Sequence, residues 1–175
     1  VLGTSVMLFE QTDSGFKIPE QYREDTLTTV DTHDLPPAAG YLAGTHVELR
    51  ERLGLLVEPV ETVLARTREE KERLEAALRI QGLLGEDPTD REIVLAMHQF
   101  IARTPAQLKA IAVTDAVGER RVQNQPGTDQ EYPNWRVPLA DADGHVVLLE
   151  DFPSNGPLNA LLDAYRSEQS PSTAE

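Results

Sequence analysis

Short apolar runs of β type, held apart by a long polar stretch and then by longer helical patterns, restrict the fold of this sequence more than any other feature. The runs cover residues 4–9, 26–30, 111–113 and 146–149, each bounded by polar or turn-forming residues. Between the second and third, Pro59 suits an early helical position, and Val60, Val63, Leu64, Thr67, Lys71, Leu74 and Leu78 follow at three- and four-residue steps. That spacing makes an apolar stripe, broken by a lysine whose stem can still cover the core. Glu69 with Arg73 and Glu75 with Arg79 add Glu-to-basic pairs on the helix surface, and Gly82 and Gly85 end it. A second helix is predicted with Asp87 as cap and Pro88 in its first turn, burying Ile93, Val94, Met97, Phe100 and Ile101. A third, short helix is predicted to start at Thr104, where Gln107 completes a capping-box pattern. Helices between apolar strands indicate βα units and a parallel sheet, with the functional loops at the carboxyl ends of its strands. His33-Asp34 and Asp115 both fall at such ends.

With 30 acidic against 16 basic residues, a net charge of -14 and no basic patch interleaved with aromatics, the chain is a poor match for nucleic acid. The absence of cysteine excludes disulfides, thiolate nucleophiles and cysteine-bound zinc. No apolar run approaches the ~20 residues that span a bilayer, and no phosphate-binding Gly-rich loop with Lys-Ser/Thr occurs. The expectation is a soluble protein without a membrane or nucleic-acid partner. The sequence opens directly on an apolar run with no methionine, so a piece of a longer protein is expected. Residues 1–166 read as one unit and 167–175 as a polar, disordered tail.

The segment Asp31-Thr32-His33-Asp34-Leu35-Pro36-Pro37 follows a β-type run, and its prolines stop the strand from continuing. Asp34 is therefore either a carboxylate facing a cleft, able to stabilise developing positive charge or orient hydroxyls, or a turn aspartate capping a helix after the prolines. His33 is either a hydrogen-bonding or basic group or a structurally satisfied imidazole. Asp31, His33 and Asp34 together also resemble part of an oxygen-and-imidazole metal site, which would make a metal-dependent hydrolase. The helical span from Val60 offers a third reading, a protein-interaction module. A second polar constellation runs from Arg120 to Arg136 and holds Asn124, Asn134 and Trp135. Its amides suit sugar hydroxyls and its indole suits apolar sugar faces, whereas the structural alternative for Trp135 is a core or loop-pinning role. His46, His98 and His145 lack ligand spacing and are assigned to structure or solvent.

Thr32-His33-Asp34-Leu35-Pro36, Asn124-Gln125-Pro126-Gly127-Thr128 and Glu131-Tyr132-Pro133-Asn134-Trp135-Arg136, together with the opening Leu2 to Glu10, resemble the carboxyl-terminal part of bacterial 4-alpha-glucanotransferases. These enzymes, also called amylomaltases or disproportionating enzymes, belong to the alpha-amylase superfamily, and the resemblance runs from Val1 to Tyr165. It implies the closing portion of a (β/α)8 barrel: about three barrel strands, with a predominantly helical segment between the last two, and a barrel left incomplete. It further implies a cytoplasmic enzyme and transfer of alpha-1,4-glucan segments between malto-oligosaccharides by a retaining double displacement, with neither metal nor cofactor. Asp34 would be the third catalytic carboxylate, and His33, Asn124, Asn134 and Trp135 would bind substrate. The family's nucleophile and acid/base motifs have no match here, and Glu10 does not occupy the latter. The isolated chain is accordingly expected to be inactive and to self-associate through open strand edges.

Overall fold

In the computed structural model, which describes residues 2–13 and 15–169, the first apolar run forms β1 (Gly3–Val6) and a 3-10 turn at Met7–Phe9. The polar stretch beyond it folds into an antiparallel hairpin, β2 (Gln11–Thr12) on β3 (Gly15–Phe16). β4 (Thr26–Thr29) then lies parallel to β1, with Gly3 opposite Thr26 and Val6 opposite Thr29. Helices α1 (Ala38–Ala43), α2 (Thr45–Arg52), α3 (Val60–Ile80) and α4 (Asp90–Ala102) intervene before β5 (Leu108–Lys109) joins β4 on its other side, again parallel. The sheet order is β1-β4-β5, α5 (Val113–Val117) and α6 (Gly156–Gln169) follow β5, and 3-10 turns occur at Pro19–Gln21 and Leu149–Ser154. This is a partial, unclosed α/β barrel. Among the described residues β1 and β5 each pair with β4 alone, so the outer edge of each is open.

One core joins strand ends to helices. Met7, Leu8 and Val30 pack with Leu42, Leu74, Leu78, Ile93, Met97, Phe100, Ile101 and Leu161, and Tyr22 meets Phe100 edge to face at 6.1 Å. The α3 stripe behaves as its spacing implies: Val63, Leu74 and Leu78 are buried, Lys71 reaches Asp90 at 2.7 Å, and Glu75 pairs with Arg79 at 2.9 Å. No helix among the described residues is long and apolar enough to cross a membrane.

Several expectations are corrected. The cap of α4 is Thr89, not Asp87. Its hydroxyl accepts the Glu92 N–H at 3.3 Å while the Glu92 carboxylate accepts the Thr89 N–H at 2.7 Å, a reciprocal box that Asp87 lies too early to make. Thr89→Ala is expected to lower stability by about 1 kcal/mol in chemical unfolding. The predicted helix after Thr104 does not form. Thr104 Oγ1 closes the end of α4 by donating to the Ile101 carbonyl, and the Gln107 N–H donates to the Glu24 carbonyl, drawing the chain into the sheet as β5. The strand predicted at residues 111–113 therefore lies earlier, and Val113 opens α5 instead. The run at 146–149 makes only one antiparallel bridge, between Ala140 and Val146. Val146, Leu148 and Leu149 are exposed, with no apolar face to bury against. Ser167, Glu168 and Gln169, read as tail, are the last turn of α6, where Glu168 accepts from Arg103 at 2.7 Å and from Gln99 at 3.1 Å. The remainder of that tail, residues 170–175, lies outside the described residues.

Candidate functional site

The loop after β4 is where sequence and fold converge. Pro36 and Pro37 end the strand direction, and α1 starts at Ala38 with no side-chain cap from its own N-cap residue. Asp34 is thus not the helix cap. Its carboxylate lies at the carboxyl edge of the parallel sheet, half exposed, on the wall of a cleft of about 740 Å³. Leu8, Leu35, Tyr41, Arg50, Glu70 and Gln125 line other parts of that cleft.

A second loop comes alongside because α1 permits a close approach. A Cβ on Gly40 would stand 2.1 Å from the Arg120 carbonyl oxygen, so only glycine lets the chain at Arg120 lie against the helix. The Thr45 hydroxyl also donates to that carbonyl, at 3.2 Å. Past this contact, Asn124 Nδ2 donates to Asp34 Oδ1 at 2.6 Å. His33 Nε2 lies 3.3 Å from Asp34 Oδ2. On the other side of His33 sits the Trp135 ring, with centroids 4.9 Å apart and planes at 45°. Trp135 is 64% exposed and has φ 62°, a left-handed conformation rare for a bulky residue, and its backbone N–H donates to the Gln123 carbonyl at 2.9 Å. Asp34, His33, Asn124 and Trp135 are therefore brought together.

Asn134 is not in that group. Its Oδ1 accepts the Gln125 N–H at 2.8 Å and its Nδ2 donates to Thr128 Oγ1 at 2.8 Å, so the amide is consumed in holding its own loop. The base of this loop rests on Glu119, which is 1% exposed. Its carboxylate accepts the backbone N–H groups of Arg120, Arg121 and Ala140 and the Arg121 guanidinium, at 2.7 to 3.0 Å. Arg121 is half exposed and water can replace its lost partner, but the buried Ala140 N–H has no such recourse. Glu119→Ala is expected to cost ~2–4 kcal/mol in chemical unfolding.

The metal triad does not assemble. Asp31 is 5% exposed and turned against buried Asp115, whereas the Asp34 and His33 side chains are half exposed or more. The one group of acidic and imidazole side chains within mutual reach of an ion, among the described residues, is Asp141, Asp143 and His145 in a distant turn. Glu10 is paired with Lys17. Burial raises its carboxyl, but the hydrogen bonds from Lys17 and Ser5 and the Lys17 and Arg23 charges outweigh that and hold it below its ordinary value. It is thus unsuited to deliver a proton near neutrality.

Sequence reasoning placed Asp115 at a strand end but missed its burial and its pairing with His98, and the contributions of Tyr41, His46, Arg50 and Glu70 to the cleft wall. His98 is structural as expected, 0% exposed and 3.0 Å from Asp115 Oδ2. A polar residue on the buried stripe of α4 was the available signal that a partner had to exist.

The sequence pattern of the family described as 4-alpha-glucanotransferase matches residues 1–143. The chain belongs to the 4-alpha-glucanotransferase family. It is 51% identical over 174 residues to the 4-alpha-glucanotransferase of Mycobacterium tuberculosis, a match covering 95% of this chain and 24% of that protein. Against the 4-alpha-glucanotransferase of Haemophilus influenzae it is 24% identical over 144 residues, covering 77% of this chain and 21% of the relative. The crystal structure of amylomaltase from Corynebacterium glutamicum superposes with a TM-score of 0.88 at 38% identity, over 94% of this chain and 25% of that one. The chain thus spans about a quarter of the length of the glucanotransferases it matches, and its open sheet is that of a partial barrel of this family.

Proposed function

We propose that this chain is the carboxyl-terminal part of the catalytic barrel of a longer 4-alpha-glucanotransferase, and that it contributes one of three catalytic carboxylates. The longer enzyme transfers alpha-1,4-glucan segments between malto-oligosaccharides by a retaining double displacement. Asp34 holds the distorted sugar and stabilises the oxocarbenium-like transition state, and His33 binds a neighbouring hydroxyl. Asn124 orients Asp34, Trp135 offers an aromatic face to the glucan, and Asn134 supports both by shaping their loop.

The observation that carries this reading is the contact of Asn124 Nδ2 with Asp34 Oδ1 at 2.6 Å, in a group where His33 and Trp135 flank an exposed carboxylate. A short bond to a charged acceptor restricts the carboxylate to one direction before any ligand arrives, and preorganised charge is what electrostatic catalysis requires. The adjoining cleft, about 740 Å³, falls in the size range of ligand sites. Its wall mixes apolar residues with hydroxyl, amide and charged groups, as sugars demand. Displacement at an anomeric carbon is redox-neutral and is performed by side-chain carboxylates, so no cofactor is invoked.

The test is the full-length enzyme with maltotriose as sole substrate. Glucose and chains longer than maltotriose are expected together; products confined to shorter sugars, or none, would contradict transfer.

A further inference from the structure

His33 and Asp34 lie on a turn, residues 31–38, both of whose ends meet a single buried carboxylate from elsewhere in the chain. Asp115, on α5, is 0% exposed. Its Oδ1 accepts the Ala38 N–H at 2.7 Å, at the far end of the turn, and its Oδ2 lies 3.0 Å from Nε2 of buried His98. At the near end, the Asp31 carboxyl is 5% exposed and lies beside Asp115. Burial first, and then the neighbouring Asp115 charge, push the Asp31 carboxyl well above its ordinary range. Asp31 Oδ2 is buried with no hydrogen-bond partner. The Arg91 guanidinium donates to the carbonyl of Asp115 itself at 3.0 Å, anchoring the backbone that carries the clamp.

We propose that Asp115 is a positioning residue for glucan transfer: it ties both ends of the 31–38 turn to one carboxylate and thereby sets the direction of Asp34. The proposal rests on the reading of Asp34 as a catalytic carboxylate. Two acids and an imidazole buried together are a poor way to gain stability, since apolar residues of similar volume commonly do as well or better. What such a network supplies is a directional constraint, and here the constrained segment is the one bearing Asp34. Asn124 holds Asp34 by its carboxylate, and Asp115 holds it by its backbone.

The experiment compares variants of the full-length enzyme. Asp115→Asn removes the charge of the carboxylate that faces Ala38, His98 and Asp31 and puts an amide NH2 in place of one of its oxygens, so kcat is expected to fall at least about tenfold with KM within about threefold, as misplacement of a catalytic group does. Asp31→Asn keeps a neutral side chain of similar size in place and is expected to stay within about threefold of the parent kcat. The Asp34→Asn/Asp115→Asn double variant is expected to be no slower than Asp34→Asn alone, because a residue acting through Asp34 has nothing left to position. A parental kcat in folded Asp115→Asn, a collapse in Asp31→Asn, or multiplied losses in the double variant would overturn the proposal. Amide hydrogen exchange over residues 31–38 gives a readout independent of turnover. Exchange at least about tenfold faster in Asp115→Asn is expected, and an unchanged rate overturns the clamp whether or not the enzyme transfers glucan. If Asp115→Asn does not fold, Asp31→Ala, which leaves no second acid beside Asp115, decides by the same exchange and kcat measurements. A loss of at least about fivefold in kcat supports the clamp, and parental values in both measurements reject it.

Discussion

Asp34→Asn in the full-length enzyme is expected to reduce glucan transfer at least ~10²-fold while leaving the fold intact, a loss of ~2.7 kcal/mol of transition-state stabilisation. The substitution keeps size and shape and removes only the charge. Asn124 Nδ2, now 2.6 Å from Asp34 Oδ1, can still donate to the amide oxygen of Asn at that position, so the two loops stay joined. The half-exposed site carries no buried charge whose loss would unfold the protein. KM should move little, because a ground-state sugar gains less from a negative charge than an oxocarbenium-like transition state does. Steady-state kinetics on maltotriose with circular dichroism as the folding control provide the check. Near-parental rates would remove Asp34 from the mechanism.

Much of the frame was legible because its signals are local. A β-type run ended by two prolines marked β4 and the loop holding His33 and Asp34, and the stripe from Val60 to Leu78 marked α3. β5 was misplaced because it is short and because its pairing depends on Gln107 meeting Glu24 across the fold. β-branched Val113 suggested a strand, but five residues of helix follow from the turn that Gly118 closes with φ 87°. α6 went unread although Leu158, Leu161 and Tyr165 have helical spacing, since the apolar face that α4 offers them exists only after folding. In the site, Asp34 and Trp135 were accessible to sequence reasoning through residue type and turn chemistry. Asn134 was not separable from Asn124 that way, because one amide spends its hydrogen bonds inside the loop and the other reaches Asp34. The Asp31, Asp115 and His98 cluster draws on a strand end and two helices, and no local pattern joins them.

The isolated 175-residue chain is expected to show no transfer, with maltotriose unchanged against a buffer control. A retaining double displacement needs a nucleophile and an acid/base with carboxyl groups ~5–5.5 Å apart. Besides Asp34, the acidic residue on the cleft wall is Glu70, and its carboxylate accepts the Tyr41 hydroxyl at 3.0 Å on the helical side. Glu10 is held ionised by Lys17. Among the described residues the cleft wall offers no second carboxylate placed to work with Asp34 at the anomeric carbon, so the expected loss is complete rather than partial. The open edges of β1 and β5 should also make the isolated chain associate with rising concentration, visible by sedimentation. Robust turnover by the isolated chain would mean that the carboxylates of the reaction have been wrongly identified.

The most direct measurement is a crystal structure of the full-length enzyme with an uncleavable, thio-linked malto-oligosaccharide across its cleft. The expected result is an Asp34 carboxylate about 2.5–3.0 Å from hydroxyls of the sugar at the scissile linkage, with Asn124 still bonded to its other oxygen. A glucan bound in a groove remote from Asp34, with this carboxylate left to solvent, would contradict its role.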